Sequence, residues 1–372
     1  MKIFIQFGHK GASLFDHLLN PLSKVDFLTK IIVVCRYAGP SISKVEYHCP
    51  PRLIAKFAYI AIIYETIDLF FLALFGGRGY IAGYLLNPHG LIAFITGKLT
   101  GKPVIVSLIA GPFELYPRRR PLGVDFTKPL PWSGRLLLKI VKNSNAVITT
   151  GSFTKNFLSK HGIDESKIFP MINPPNEFKF QPLNVTKTYD IISIGRLVPV
   201  KHNEIMIRSI LKIKDKHQNI KAGFVGDGPS KSELIKLGKE LGLEDNLDFI
   251  GFKKDVTQFY NSSRVFILTS EREGFPNVVL EAMMCGLPCV VSNCGDVIDV
   301  AKDGFNSFII NDFHNIDGFA QAILSLLENE ELYKKISQNA LKTVKSLSTT
   351  EITNQWELLF QKIKLRYTNT PK

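Results

Sequence analysis

The chain has 372 residues, 45% hydrophobic and 21% charged, a globular composition long enough for two domains of ordinary size. Five Cys, an odd number scattered among apolar runs, argue against a disulfide framework and for reduced thiols in a cytosolic compartment. Cys285, Cys289 and Cys294 lie close together, yet no nearby His or further Cys completes a zinc spacing, so no metal site is expected.

The N-terminal "MKIFIQFGHKGAS" has a short alternating apolar run with no cleavage-like region after it, so it reads as a first strand and not as a signal peptide. Residues 57–75, "FAYIAIIYETIDLFFLALF", approach the roughly 20 residues of a membrane span. Glu65 and Asp68 at its centre would each cost about 2.5–3.5 kcal/mol in a bilayer. The stretch therefore reads first as a mostly buried helix and second as a helix lying on a membrane surface. Further strands are expected at "KIIVVCR", "YIAGYLL", "PVIVSLIAG" and "AVITTG", with helices between them. "FPMINPPNEFKFQPLNVTKTYD", rich in Pro and Asn and without period, reads as a linker. The alternation then restarts: "DIISIGRL", "AGFVGDG", "LDFIGF", "VFILTS", "PCVVSN" and "SFII", with helices between most of these runs and two after the last. The tail "TTEITNQWELLFQKIKLRY" has helical spacing, with Ile352, Trp356, Leu359 and Phe360 on one face.

Strands alternating with helices imply parallel sheets, and two such runs imply two doubly wound domains with a ligand site in the cleft between their strand ends. The expected division is residues 1–172, a linker at 173–188, a second domain at 189–348, and a C-terminal helix at 349–372 packing back on the first domain. Net charge is +13, and it is uneven: residues 1–190 carry 23 Lys+Arg against 11 Asp+Glu, a net +12, and residues 191–372 carry 23 against 22. The first half is thus expected to face something anionic, a lipid surface or a phosphate-bearing acceptor. Apart from Arg118, Arg119 and Arg120 the basic residues are scattered, and no nucleic-acid signature accompanies them.

Three strand ends in the second half carry chemistry. Gly195 and Arg196 end one strand and Lys201 precedes the next helix, a cation pair suited to phosphate, although such residues are also common as solvated loop charges. Gly226, Asp227 and Gly228 permit a tight strand-to-helix turn. In "EREGFPNVVLEAMMCG", Gly274 and Phe275 lead to Pro276, which sets a helix start, and the N–H groups around Asn277 and Val278 suit a diphosphate. Glu281 shares a helix face with Asn277 and can accept two hydrogen bonds from a ribose diol. Glu273, in the loop, can bind sugar hydroxyls. The structural alternative has Glu273 capping the helix and Glu281 solvated.

"EGFPNVVLEAMMCGLPCVVSNCG" resembles the Glu-x7-Glu signature of the family-4 retaining glycosyltransferases, which have the GT-B fold: two doubly wound Rossmann-like α/β domains facing across a cleft. "IGRLVPVKH", "VGDGP" and "FIGF" resemble that family's other strand ends, in the same order; the similarity is close over residues 189–345 and looser over 1–172. The resemblance implies transfer of a sugar from a nucleotide-diphosphate donor, with retained anomeric configuration, to the hydroxyl of a lipid-linked sugar or growing glycan. Arg196 and Lys201 would hold the diphosphate, Glu281 the ribose and Glu273 the donor sugar. Backbone groups at Phe252 and Lys253 would read the base, and the loop from Gly8 to Gly11 would approach donor and acceptor. It implies no cofactor beyond the donor substrate and, with no Asp-x-Asp in the chain, no metal. Two departures stand out. "LIAGPFEL" lacks the His common after the fourth strand, so that role beside the sugar is vacant or taken by Glu114, with His89 a further candidate for which a structural role is at least as strong a reading. "NPPNEF" replaces the usual hinge motif. A GT-B-like epimerase or a non-catalytic sugar-nucleotide-binding protein are the alternatives, the first requiring an acid–base set that the chain does not display. The basic first half and residues 57–75 add an expectation of a cytoplasmic protein peripheral on the inner face of the plasma membrane.

Overall fold

The computed structural model describes residues 1–7, 12–116, 124, 126, 128–173 and 175–368. The chain divides into two compact units, Met1–Asn173 with Ser348–Lys372, and Pro174–Leu347.

The first unit runs β1 (Lys2–Phe7), α1 (Ala12–Ser23), β2 (Lys30–Cys35), β3 (Val45–His48), α2 (Arg52–Ala55), α3 (Ala58–Phe75), β4 (Gly79–Tyr84), α4 (Leu91–Thr100), β5 (Val104–Leu108), α5 (Trp132–Asn143), β6 (Ala146–Thr149), α6 (Ser152–Lys160) and β7 (Ile168–Pro170). Its seven strands are parallel, in the order β3-β2-β1-β4-β5-β6-β7. The central runs are apolar on both faces, as a sheet covered by helices on both sides requires. Strand β1 buries Ile3, Ile5 and Phe7 in one layer and Phe4 in the other.

The second unit runs β8 (Tyr189–Ile194), α7 (Asn203–Lys214), β9 (Ala222–Val225), α8 (Lys231–Glu240), β10 (Leu247–Gly251), α9 (Thr257–Asn261), β11 (Ser263–Leu268), α10 (Asn277–Met284), β12 (Cys289–Ser292), β13 (Ser307–Ile310), α11 (Ile316–Glu328) and α12 (Glu330–Lys345). Its six parallel strands take the order β10-β9-β8-β11-β12-β13. The chain thus leaves β8 toward β9 on one side and returns to β11 on the other, which makes the β8/β11 edge the topological switch point of a Rossmann-like sheet. Both units are parallel-sheet α/β, the class the alternation implies.

Three local expectations change. Strands β3 and β7 were not legible: β3 is a half-buried edge strand reading "VEYH", and β7 is three residues ending in Pro170. The stretch read as a linker is anchored at a few points, although residues 176–188 are exposed apart from Phe180. Phe169 and Met171 sit in the first unit's core, and Phe180 is buried against Tyr260 in the second, with ring centroids 6.1 Å apart. Leu183 N–H donates to Asn261 Oδ1 at 2.7 Å, and Lys187 Nζ donates to the carbonyls of Asn261 and Ser263, both at 2.8 Å, so residues 175–188 belong to the second unit.

The third change concerns α3, which is not mostly buried. Only Ala61, Glu65, Leu69 and Ala73 are buried, one residue per turn, while Tyr59 is 86% and Phe75 78% exposed. Both central acids face the sheet. Glu65 accepts from Gln6 Nε2 at 3.1 Å and lies 4.0 Å from Arg36 Nε, and Asp68 lies 3.4 Å from His48 Nδ1. Burial pushes the Glu65 carboxyl up to about 7, against the pull of Arg36 and the Gln6 bond.

The last helix, α13 (Thr349–Thr368), returns to the first unit. Ile352, Trp356, Leu359, Phe360 and Ile363 are buried with β1, β2 and α1, and Phe360 meets Tyr80 and Phe27 at centroid distances of 4.7 and 5.3 Å. Trp356 is fully buried. Trp356→Ala should therefore cost about 3–5 kcal/mol. Hydrogen exchange should locate the loss in β1 and β4 and leave β8 and β11 unchanged.

Candidate functional site

The sequence-predicted cluster forms at the switch point. In a parallel sheet every strand delivers its exit loop to one edge, and β8 and β11 diverge there. Gly195 N–H pairs with Val225 O and Gly226 N–H with Gly251 O, both at 2.9 Å, so the exits of β8, β9 and β10 are laced together. A Cβ on Gly226, whose φ is +147°, would stand 1.8 Å from Gly195 O, so only glycine allows this approach.

The next contacts join the exits of β8 and β11. Thr269 Oγ1 donates to the carbonyls of Lys201 and His202 at 2.8 and 2.9 Å, and Glu271 N–H donates to Val200 O at 3.0 Å. This places Lys201 Nζ directly on Glu273 Oε1, which also accepts from Ser270 Oγ at 2.9 Å. Both bonds fall on Oε1; among the described residues Oε2 has no partner. Arg196 is exposed beside this pair, and among the described residues it makes no ion pair. A small cavity here is lined by Gly195, Arg196, Lys201, Asn203, Leu268 and Thr269.

Pro276 precedes the first turn of α10, and Asn277 and Val278 open the helix as the sequence implies. No side chain caps α10, so Glu273 is not a cap, and Glu281, one turn on, is not solvated. It is mostly buried, and its Oε2 accepts from Tyr260 Oη at 2.7 Å. Burial pushes its carboxyl up to about 7, with the Tyr260 bond and the charge of Lys179 pulling the other way. Gly274 O accepts from Asp296 N–H at 2.9 Å. Gly295, at φ +58°, backs this loop: a Cβ there would lie 2.1 Å from Glu273 O. Phe252 is 75% exposed and Lys253 exposed, after β10. The Cys294 thiol at the exit of β12 is pushed up to about 12, chiefly by burial and next by the charge of Glu273.

In the first unit the candidates separate. Gly8 and Gly11 lie outside the described residues, as do Arg118, Arg119 and Arg120. His89 is 6% exposed, in the turn Leu86–Gly90 after β4. Glu114 accepts from Leu86 N–H on one oxygen and from Ala110 N–H on the other at 2.7 Å, so its carboxylate ties the exits of β4 and β5 together.

Residues 175–343, nearly the whole second unit and just under half of the chain, match the family model described as glycosyl transferases group 1. N-acetyl-alpha-D-glucosaminyl L-malate synthase of Bacillus anthracis is 26% identical over 285 residues, 73% of this chain and 72% of that protein. UDP-Gal:alpha-D-GlcNAc-diphosphoundecaprenol alpha-1,3-galactosyltransferase of Escherichia coli is 29% identical over 339 residues, 87% and 86%. Among solved structures, Anabaena HepE in complex with UDP and glucose superposes with a TM-score of 0.76 at 18% identity, covering 97% of this chain and 99% of that one. Together they support a GT-B glycosyltransferase.

Sequence reasoning on this chain missed Tyr260, Ser270, Thr269 and Gly295. Tyr260 and Ser270 touch the two glutamates, but neither belongs to the spaced motif that named them. The one available signal was for Gly295, a glycine three residues after a strand end.

Two predictions follow from this geometry. Glu281 has a folded-state pKa above the ordinary 4.5, so its contribution to stability is fully present below pH 4.5 and is lost as pH rises through about 7. Relative to Glu281→Gln, the parent should lose about 3 kcal/mol between pH 4.5 and 8, read by chemical denaturation across that range. Gly295→Ala should destabilise the second unit by about 1–3 kcal/mol more than Gly242→Ala, measured the same way. Both glycines have positive φ, but a Cβ on Gly242 meets nothing within 4 Å.

Proposed function

We propose that the chain is a retaining, metal-independent glycosyltransferase that moves a sugar from a nucleotide-diphosphate donor to the hydroxyl of a lipid-linked sugar or growing glycan. The observation that carries this reading is the placement of Lys201 on Glu273, with exposed Arg196 alongside, at the switch point of the second sheet. In this reading Arg196, Lys201 and the first turn of α10 hold the diphosphate, supplying the positive charge that a divalent ion would otherwise supply. Glu273 uses its unpartnered Oε2 for the sugar, and Glu281, steadied by Tyr260, takes the ribose on Oε1. Phe252 and Lys253 border the base.

In the reaction the anomeric C–O bond breaks and the diphosphate leaves with the electron pair. The acceptor oxygen bonds to the anomeric carbon from the same face, and its proton passes to the leaving phosphate oxygen. Catalysis is then mainly stabilisation of the leaving group, plus orientation. The E. coli relative is named for a UDP-galactose donor and a diphosphoundecaprenol-linked acceptor, and the Anabaena neighbour was solved with UDP and glucose. These names favour a UDP-sugar and a lipid-linked acceptor here, and with them a cytoplasmic enzyme peripheral on the inner face of the plasma membrane.

A panel of UDP-, GDP- and ADP-sugars, with and without chelator, tests the reading. Slow donor hydrolysis or transfer that survives chelation supports it, an epimerised donor would point to an epimerase, and nucleotide binding without turnover to a binding protein. Arg196→Ala and Lys201→Ala should each weaken nucleoside-diphosphate binding by about 10- to 150-fold, the loss of one charge-assisted bond of about 1.5–3 kcal/mol. Glu273→Gln should lower turnover far more than nucleotide affinity. Calorimetry and single-turnover rates separate these effects.

A further inference from the structure

Among the described residues, exposed apolar side chains concentrate on the first unit, on the helices covering one face of its sheet. Of the 25 large hydrophobic side chains that are exposed among the described residues, ten fall within residues 53–75. Along α3 they are not scattered. Tyr59, Ile63, Ile67, Phe71 and Leu74 follow helical spacing and form one stripe, opposite the stripe of Ala61, Glu65, Leu69 and Ala73 that docks on the sheet. Ile95 and Leu99 on α4 extend the apolar surface, and Trp132, 75% exposed, adds to it on α5.

Charge states what covers this face. The exposed side chains of α2, α4, α5 and the turns flanking α3 include Arg52, Lys56, Arg78, Lys98, Arg135 and Lys139. Helices α2 to α5 contain only two acids, Glu65 and Asp68, and both are turned inward onto Gln6, Arg36 and His48. A second copy of the chain would bring like charge against like charge around this surface. An anionic lipid leaflet offers the complementary sign and an apolar interior at the required depth. The helix is long and apolar enough to cross a membrane by length and composition. Its two acids, pinned to the sheet, hold it parallel to the unit's surface instead.

We infer that α3 is an in-plane membrane helix, inserting its Tyr59–Ile63–Ile67–Phe71–Leu74 stripe into one leaflet of an anionic bilayer while basic residues of α2, α4 and α5 contact the headgroups. The inference rests on the peripheral-membrane part of the reading above and names the surface responsible.

The test is flotation of the full chain with vesicles of equal parts phosphatidylcholine and phosphatidylglycerol, and with phosphatidylcholine alone. Binding should require the anionic lipid and fall with salt. The double variant Ile63→Glu, Phe71→Glu, both at exposed positions, should bind about tenfold or more weakly and keep its nucleotide affinity. An environment-sensitive dye on Leu74→Cys should shift to the blue on binding. If the double variant floats as well as the parent, the assignment to α3 fails and peripheral attachment stands. If the parent does not float, both fail and the transferase reading is untouched. A lipid-free dimer that the double variant abolishes would give this face to a second copy and overturn the inference.

Discussion

A parallel sheet brings every strand to its end at the same edge, and everything assigned to the second unit depends on that constraint. Strand order reverses at β8, so the loops leaving β8 and β11 run apart while their first residues remain adjacent. Two residues 72 positions apart, Lys201 and Glu273, meet there as an ion pair. Bonds from Thr269 and Glu271 back to the β8 exit fix the spacing of the loops before any ligand arrives. The cation is thereby presented with its charge partly balanced, an arrangement that holds a flexible lysine in place without leaving it isolated.

The two buried glutamates show how similar electrostatics serve different ends. Glu65 and Glu281 are both raised to about 7 by burial. Glu65 lies on the sheet-facing side of α3 with Gln6 and Arg36 and settles how α3 is turned; Glu281 stands one turn into α10 with one oxygen unclaimed among the described residues. A displaced proton affinity alone does not separate the two; position relative to the strand ends does.

Much of this was legible in the sequence because parallel strands buried on both faces leave continuous apolar runs, and each of β8 to β13 could be read from one. The spacing of Glu273 and Glu281 around Pro276 likewise placed them on a loop and a helix. Contacts that close over long separations were not legible: Tyr260 on Glu281, Gly295 behind Glu273, Glu114 across two loops. Nor could composition say which side of residues 57–75 would be covered, since a helix apolar all round gives no hint of which stripe finds a sheet. Strands β3 and β7 failed for another reason, being short edge pieces without the apolar signature of the centre.

Helix α13 has a consequence for how the molecule comes to be made. The core that receives Trp356 and Phe360 gathers side chains from α1 and from β1, β2, β4, β5, β6 and β7, all encoded before residue 172. During synthesis those elements emerge first, and the groove for the two aromatic rings stays open while the whole second unit is translated. The second unit, continuous from residue 174 to 347, has its full complement of strands and helices earlier. Maturation on the ribosome therefore runs against chain order, with the later segment completing first and a sticky apolar trough on the earlier one awaiting its cover.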